Sequence, residues 1–390
     1  MRLSILPLLA ILAAPAAANT PCGGDFRAFV NTMKAEALAQ GRAPATVDAF
    51  FRNVAQDQRV LRADRSQTMF RRDFTDFARS LISRNRMDNA ARLGTQHAAL
   101  FDRARREYGV PRGILLAFWA FETDFGAVQG DYNTRDALVT LSHDCRRPAL
   151  FRPHVFAAIA LQERGQFDPQ RTKGAWAGEI GMVQMLPRDI LERGVDGDGD
   201  GRVDLVNSVP DAILSGARML RDLGWRAGEP WLHEIVLPDG LDWARTGLHS
   251  ELTVAEWQRM GVRPRQGSLG PAGMRASVLL PQGRKGPAFM VYPNFQVLFE
   301  WNRSLVYVTT AAYFATRIEG APVFDPGAPD PSLSPEEVRA LQQKLVARGH
   351  DVGGVDGILG AMTRPAVQRE QARLGLPADG WPTRALLNGL

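Results

Sequence analysis

From Asp25 the chain alternates apolar and polar residues with a helical period. Phe26, Phe29, Val30, Met33, Ala37 and Leu38 recur at i, i+3, i+4 and i+7, and Gly41 closes the run. The same period predicts helices over 45–51, 68–83, 89–108 and 296–318. Pro111 stands where a helix starts, because its fixed φ and missing N–H cost little in a first turn. The helix from there to Glu122 is apolar almost all round, which predicts burial. Residues 230–290 break this pattern. They are rich in Gly and Pro, with short apolar runs at 276–280 and 288–292, and predict short strands or a hairpin inserted into a helical protein. Residues 321–333 read as a Pro-rich linker, stiff and extended rather than packed. Residues 334–390 then form a compact unit, with Val338, Leu341 and Leu345 at helical spacing and a turn at Asp356-Gly357. The pattern is that of a mainly α (α+β) chain with a small β-containing insert.

The ends and the composition narrow the setting. Residues 1–18 carry one Arg, an apolar run from Leu3 to Leu12 and the small residues Ala16-Ala17-Ala18, which together predict a secretory signal peptide. No other stretch is long and apolar enough to span a bilayer. The residues before Cys22 do not make a lipid-acylation site, so a soluble periplasmic protein is expected. The net charge of +5 favours an acidic surface or polymer as partner. Arginines crowd between Arg52 and Arg86, but they fall within amphipathic helix patterns and read as a solvated basic face rather than a nucleic-acid site. The two cysteines, Cys22 and Cys145, form an even pair in an oxidising compartment, and a disulfide tying the mature N-terminus to the core is expected.

One residue is out of keeping with its surroundings. In "LLAFWAFETDFGAVQG" an apolar helix ends on Glu122. Burial raises the pKa of a carboxyl, and a glutamic acid kept protonated near neutrality can donate to a leaving-group oxygen, as in glycoside cleavage. The usual scheme needs a second carboxylate. Asp124, Asp131 and Asp136 are near in sequence, yet none sits in a comparably apolar setting. A helix-terminal Glu that merely reaches solvent is the competing reading. A second stretch, "KGAWAGEIGMVQMLP", gathers small residues around Ala175 and Gly181 before Gln184. Small residues admit a polymer chain close to the backbone, and a Gln amide suits a sugar N-acetyl group; a close helix crossing would explain the same residues.

With "FETDFG", "YNTRDALVTLS", "KGAWAGEIGMVQMLP", "DGDGDGRVDLVNSVPDAI" and "YPNFQVLFEWNRS" in this order, residues 25–318 resemble the membrane-bound lytic murein transglycosylase B family. The resemblance implies a lysozyme-like helical catalytic core over residues 19–320. Such a core cleaves the MurNAc–GlcNAc bond of peptidoglycan without water, by an exolytic or endolytic route, and leaves 1,6-anhydro ends. By position in the motif Glu122 is the sole acid and base. The substrate's own 2-acetamido group is thought to take the part of a second carboxylate. Gln184 and Asn302 match family positions that contact substrate, and Trp301, Gly181 and Ala175 belong to the same motifs. Two departures stand out: Ala175 replaces a frequent Ser, and Trp301 a frequent Tyr.

Two further segments add expectations. Residues 196–207, "DGDGDGRVDLVN", fit the early EF-hand positions with Asp196, Asp198, Asp200, the Arg202 carbonyl and Asp204. Asn207 stands at position 12 in place of a bidentate Glu, so Ca2+ or Na+ would bind weakly, and a solvated acidic turn is the alternative. No cofactor is required for the chemistry. Residues 334–390, with "VDGILGAMTRPAV" and "LGLPADG", resemble a small three-helix peptidoglycan-binding domain, with Glu370 where an aromatic is usual. A linker would let it raise the local concentration of glycan at the core. The expected partners are peptidoglycan glycan strands, with other cell-wall enzymes as candidate protein partners. The competing functions are a non-catalytic wall-binding scaffold and a lysozyme-type muramidase that adds water.

Overall fold

The computed structural model describes residues 20–65 and 72–390. The expected signal segment at 1–18 and the first turn of the helix expected over 68–83 lie outside the described residues. Among the described residues, six helices build the N-terminal half of the main body: α1 (Phe26–Ala39), α2 (Pro44–Phe51), α3 (Gln58–Arg65), α4 (Phe74–Leu81), α5 (Arg84–Gln96) and α6 (Ala98–Tyr108). The central helix α7 (Arg112–Thr123) follows, then α8 (Thr134–His143), α9 (Pro148–Glu163), α10 (Pro187–Arg193) and α11 (Val209–Asp222). The helix expected over 89–108 is thus two helices, broken at His97, whose φ of −108° and ψ of 28° leave the helical region. No Gly or Pro marks that break.

Helix α7 is the axis of the body. Every residue from Gly113 to Ala120 is buried, as its unbroken apolar run predicts. Gly113 lets it cross α14 (Leu305–Ile318) closely: a Cβ there would stand 2.8 Å from the Ala315 carbonyl, and the Gly113 N–H donates to Glu319 Oε1 at 2.9 Å. The helix ends where Asp124 and Phe125 both take positive φ (51° and 60°), an uncommon conformation for residues with a Cβ. Arg86 steadies that turn, its Nε donating to Asp124 Oδ1 at 2.9 Å. The abrupt stop leaves Glu122 in the last turn of the helix, half-buried. Cys22 and Cys145 are joined in a disulfide across a sequence separation of 123 residues, tying the N-terminal segment to the turn after α8. A loop of that length removes about 4–5 kcal/mol of unfolded-chain entropy in the chain-entropy account.

Residues 230–290 form the expected insert. Strands β3 (Leu232–Val236), β4 (Arg263–Pro264), β5 (Ser277–Leu279) and β6 (Phe289–Val291) make an antiparallel sheet ordered β4-β3-β6-β5; β1 (Tyr132–Asn133) and β2 (Lys173–Gly174) pair beside the body. The short helix α12 (Val254–Arg259), which the sequence pattern does not predict, closes a separate core around the fully buried Trp257. The helix expected over 296–318 is again two, α13 (Pro293–Trp301) and α14, parted at Asn302, Arg303 and Ser304.

The C-terminal unit holds α15 (Pro335–Ala347), α16 (Thr363–Arg373) and α17 (Arg384–Gly389) around Leu341, Leu345, Val367 and Leu386. Its α15 opens with a Ser334–Glu337 capping box. Glu370 is buried and bound by His350 and Arg373, both at 2.7 Å, so this charge is a packed core element rather than a surface departure. The linker differs from expectation. It is extended, as its prolines require, but it is also pinned. Phe324 packs on Phe74 and Tyr313, and the Ala328 N–H donates to the Lys285 carbonyl at 2.8 Å. Arg364 then fastens the terminal unit to the insert by donating to the Leu280 carbonyl at 3.1 Å and the Pro281 carbonyl at 2.5 Å.

Candidate active site

Glu122 lies half-buried at the end of α7. Its Oε1 accepts the Tyr307 hydroxyl at 2.5 Å and the Trp301 Nε1–H at 3.3 Å. Burial pushes its carboxyl up to about 7, against those two hydrogen bonds, and the nearby Glu179 carboxyl pushes it further in the same direction. Tyr307 comes from the first turn of α14, which the close crossing at Gly113 sets against α7. Burial and the Glu122 charge hold the phenol well above its ordinary pKa, so it stays a neutral donor. Trp301, from the end of α13, stacks on Phe118 with centroids 4.7 Å apart, which fixes its indole N–H toward Glu122. A carboxyl with one oxygen held by neutral donors and a pKa near 7 is poised to give a proton at neutral pH and to take one back.

The segment carrying Ala175, Gly181 and Gln184 forms the facing wall. The Thr123 hydroxyl, beside Glu122, donates to the Met182 carbonyl at 2.7 Å and locks the wall to α7. Its small residues serve internal packing. A Cβ on Gly181 would lie 2.4 Å from the Leu205 carbonyl, and the φ of +78° there also requires Gly. The Ala175 N–H donates to the Glu179 carbonyl at 2.9 Å. Gln184 adopts a positive φ of 51°, and its amide N–H donates to the Gly181 (2.9 Å) and Gln129 (3.3 Å) carbonyls. Asn302 caps the break between α13 and α14, accepting the Ser304 N–H at 2.9 Å.

Of the three aspartates near Glu122 in sequence, Asp124 is paired with Arg86, Asp131 faces Arg59 at 3.6 Å, and Asp136 is held by Arg135 and the Ala55 N–H. The carboxyl whose charge bears on Glu122 is instead that of Glu179. Sequence pattern points to neither Glu179 nor Tyr307. Yet the rule that picks out Glu122, a charge among small and apolar neighbours, applies equally to "WAGEIGM". A buried Tyr hydroxyl needs a partner, which is the only sequence signal Tyr307 carries.

At the acidic loop, carboxylate oxygens of Asp196, Asp198 and Asp211 lie within 4.8 Å of one another, and Asp211 is not among the expected ligands. Asp211 also accepts the Gly197 and Asp204 N–H groups at 2.8 and 2.7 Å, so it organises the loop backbone. Asp200 accepts the Arg202 N–H at 2.9 Å. Asp204 accepts the Val206 and Asn207 N–H groups at 3.0 Å and the Asn207 side-chain N–H at 2.9 Å. All-oxygen donors suit a hard cation, but three converging side chains are fewer than a full calcium shell.

Comparison with known proteins agrees with this geometry. Residues 25–316 match the family described as "Transglycosylase SLT domain", and residues 334–390 match "Putative peptidoglycan binding domain". The chain is 28% identical over 236 residues to membrane-bound lytic murein transglycosylase B of Escherichia coli (strain K12). That match covers 59% of this chain and 63% of the relative, less than two thirds of its length. Among solved structures, SltB3 from Pseudomonas aeruginosa in complex with NAG-anhNAM-pentapeptide is 35% identical with a TM-score of 0.85, covering 94% of this chain and 99% of that one. The soluble lytic transglycosylase SltB1 from Pseudomonas aeruginosa is 28% identical with a TM-score of 0.66, covering 76% and 99%.

Proposed function

Because this chain belongs to the transglycosylase SLT domain family, we propose that it cleaves the MurNAc–GlcNAc β-1,4 bond of peptidoglycan without water, leaving 1,6-anhydro-MurNAc ends. The observation that carries the reading is the raised carboxyl of Glu122, one oxygen of which is held by Tyr307 and Trp301. Glu122 protonates the glycosidic oxygen as the bond to the muramyl C1 breaks. The same carboxylate then takes the proton of the muramyl 6-hydroxyl as that oxygen closes on C1. The proton count at Glu122 is restored and no water is consumed. Tyr307 and Trp301 hold the carboxyl in one rotamer through both steps, and each donates to the anion that exists between them. The lyase reading is favoured over a water-adding muramidase by the anhydro sugar bound in the SltB3 relative.

Gln184 and Asn302 are proposed to contact the sugar. The 196–207 loop is proposed to take a weak Ca2+ or Na+, with no step of the reaction depending on it. The peptidoglycan-binding family of the terminal unit supports glycan strands as the ligand, and that substrate together with the leader-like first residues supports a periplasmic place of action. Among the described residues, no helix is long and apolar enough to cross a membrane.

The test is turnover of purified peptidoglycan by wild type and Glu122→Gln, read as release of soluble muropeptides. Loss of a single acid–base group costs about 10²–10⁴-fold in rate. A Glu122→Gln variant that releases muropeptides as fast as wild type would remove Glu122 from the chemistry. A wild-type protein that binds wall but never cleaves it would favour the scaffold reading.

A further inference from the structure

Gln184 owes its orientation to a residue that no motif marks. Its amide nitrogen donates to the Gly181 and Gln129 carbonyls at 2.9 and 3.3 Å, so both N–H groups are engaged and Oε1 is left for a ligand. Gln129 is anchored in turn. Its side-chain nitrogen donates to the Gly126 carbonyl at 3.2 Å and to the Val206 carbonyl at 3.0 Å. Only an NH2 group can face two carbonyls, which fixes the Gln129 amide one way round. Its Oε1 is then sealed from solvent and meets no donor among the described residues. An orphaned buried acceptor is costly and calls for a reason.

We propose that Gln129 is a positioning residue of the active site: its side-chain NH2 fixes the peptide whose carbonyl aims the Gln184 carboxamide at the sugar. The inference rests on the sugar contact proposed for Gln184. Residues 124–130 form no helix or strand, so nothing regular holds the Gln129 carbonyl in place. The stretch is pinned at both ends instead. Gly126, at a φ of +89°, gives its N–H to Thr123 Oγ1 at 2.9 Å. Gly130, at +94°, lies so close to β2 that a Cβ there would stand 2.1 Å from the Gly174 carbonyl. Between these pins, the two bonds of the Gln129 side chain supply what a strand ladder would. They also close a ring of contacts. Val206 follows Leu205, whose carbonyl accepts the Met182 N–H at 2.8 Å, and the Met182 carbonyl accepts the Thr123 hydroxyl beside Glu122 at 2.7 Å. Gln129 thus ties the turn after α7 to the segment that braces the Gln184 turn. Without its side chain, Gln184 keeps one of its two holds and its Oε1 loses a fixed direction.

The experiment is a double-mutant cycle on the whole chain with Gln129→Met and Gln184→Ala, read as kcat/KM on soluble glycan strands. Met matches Gln in length and carries neither the donor nor the orphaned acceptor. Gln129→Met should therefore melt within about 3 °C of wild type, the lost bonds and the lost orphan offsetting each other. Its kcat/KM should fall ~10-fold, the size of one hydrogen bond missing from the transition state. In the Gln184→Ala background the same change should cost no more than ~2-fold, because Gln129 acts through Gln184. A loss that persists in full in that background, an unchanged kcat/KM in Gln129→Met, or a melt far below wild type would each make Gln129 a packing residue. A Gln184→Ala variant as active as wild type removes the sugar contact itself, and the single variant shows that failure apart from the cycle. One measurement needs no Gln129 variant: in 15N NMR of wild type, the Gln184 side-chain amide protons should exchange with water more slowly than those of exposed glutamines, and equal rates would overturn the proposal. Should wild type cleave no peptidoglycan, the functional reading fails, and the same cycle is read as affinity for glycan strands.

Discussion

Glu122 is held at about 7 in the folded chain, while the ordinary value for the side chain is 4.5. A raised folded pKa means that the folded state keeps a proton the unfolded state gives up. The stabilisation tied to that proton is fully present below about pH 4.5 and is lost as pH rises through about 7. Gln cannot ionise, so Glu122→Gln should match wild type in melting temperature near pH 4.5 and exceed it at pH 8. The gap is at most about 3–4 kcal/mol, since each pH unit between the folded and unfolded values is worth about 1.36 kcal/mol. Melting curves across this range check it; a variant less stable than wild type at pH 8 would contradict the half-buried, raised carboxyl. Activity should fall over the same upper range, since an ionised Glu122 has no proton to give. The enzyme thus trades some stability near neutral pH for a proton held where it can be used, as buried active-site carboxyls do.

Among the elements, the turn around Gly181 matters most to the site. It meets the Leu205 carbonyl and takes a φ of +78°, so Gly181→Ala should cost about 1–3 kcal/mol through strain and contact together. The change should also lower kcat more than the melting temperature alone explains, because Gln184 is held by the Gly181 carbonyl. Steady-state kinetics below the melting transition check this, and unchanged kcat would separate the turn from the site. In the sequence these glycines and alanines suggest room for a polymer; in the structure they pack one loop against the next. Other elements were legible where chemistry marks them. Pro111 opens α7, Gly41 follows α1, and the Gly- and Pro-rich insert does carry the short strands. The breaks at His97 and at Asn302–Ser304 were not, because no Gly or Pro stands in them; at the second, the Asn302 and Ser304 side chains take up the freed backbone N–H groups. The site was legible in part for the same reason. Glu122 announces itself by an apolar run that ends on a charge, whereas Tyr307 looks like any core aromatic until the crossing of α7 and α14 brings its hydroxyl to a carboxyl.

Over the whole molecule, the strap of residues 321–333 and the docking of the terminal unit change the expected picture of a tethered binding module. Arg364 gives its guanidinium to carbonyls of the insert, Gln368 donates to the Thr246 carbonyl at 2.9 Å, and the Trp381 indole donates to Asp330 of the strap at 2.9 Å. Burial holds Arg364 down at about 10, still well above neutrality, so the charge-assisted bonds persist at working pH. The terminal unit therefore stands in a fixed relation to the catalytic body, and any glycan it holds is presented at a set distance from Glu122 rather than by a free search. The step proposed for the whole assembly is one in which a single glutamic acid is both acid and base and no water enters. Mass spectrometry of the muropeptides released from purified peptidoglycan is the sharpest test of that step. Products one water lighter than the hydrolytic ones, ending in 1,6-anhydro-MurNAc, are expected; products ending in reducing MurNAc would contradict it and make the protein a hydrolase.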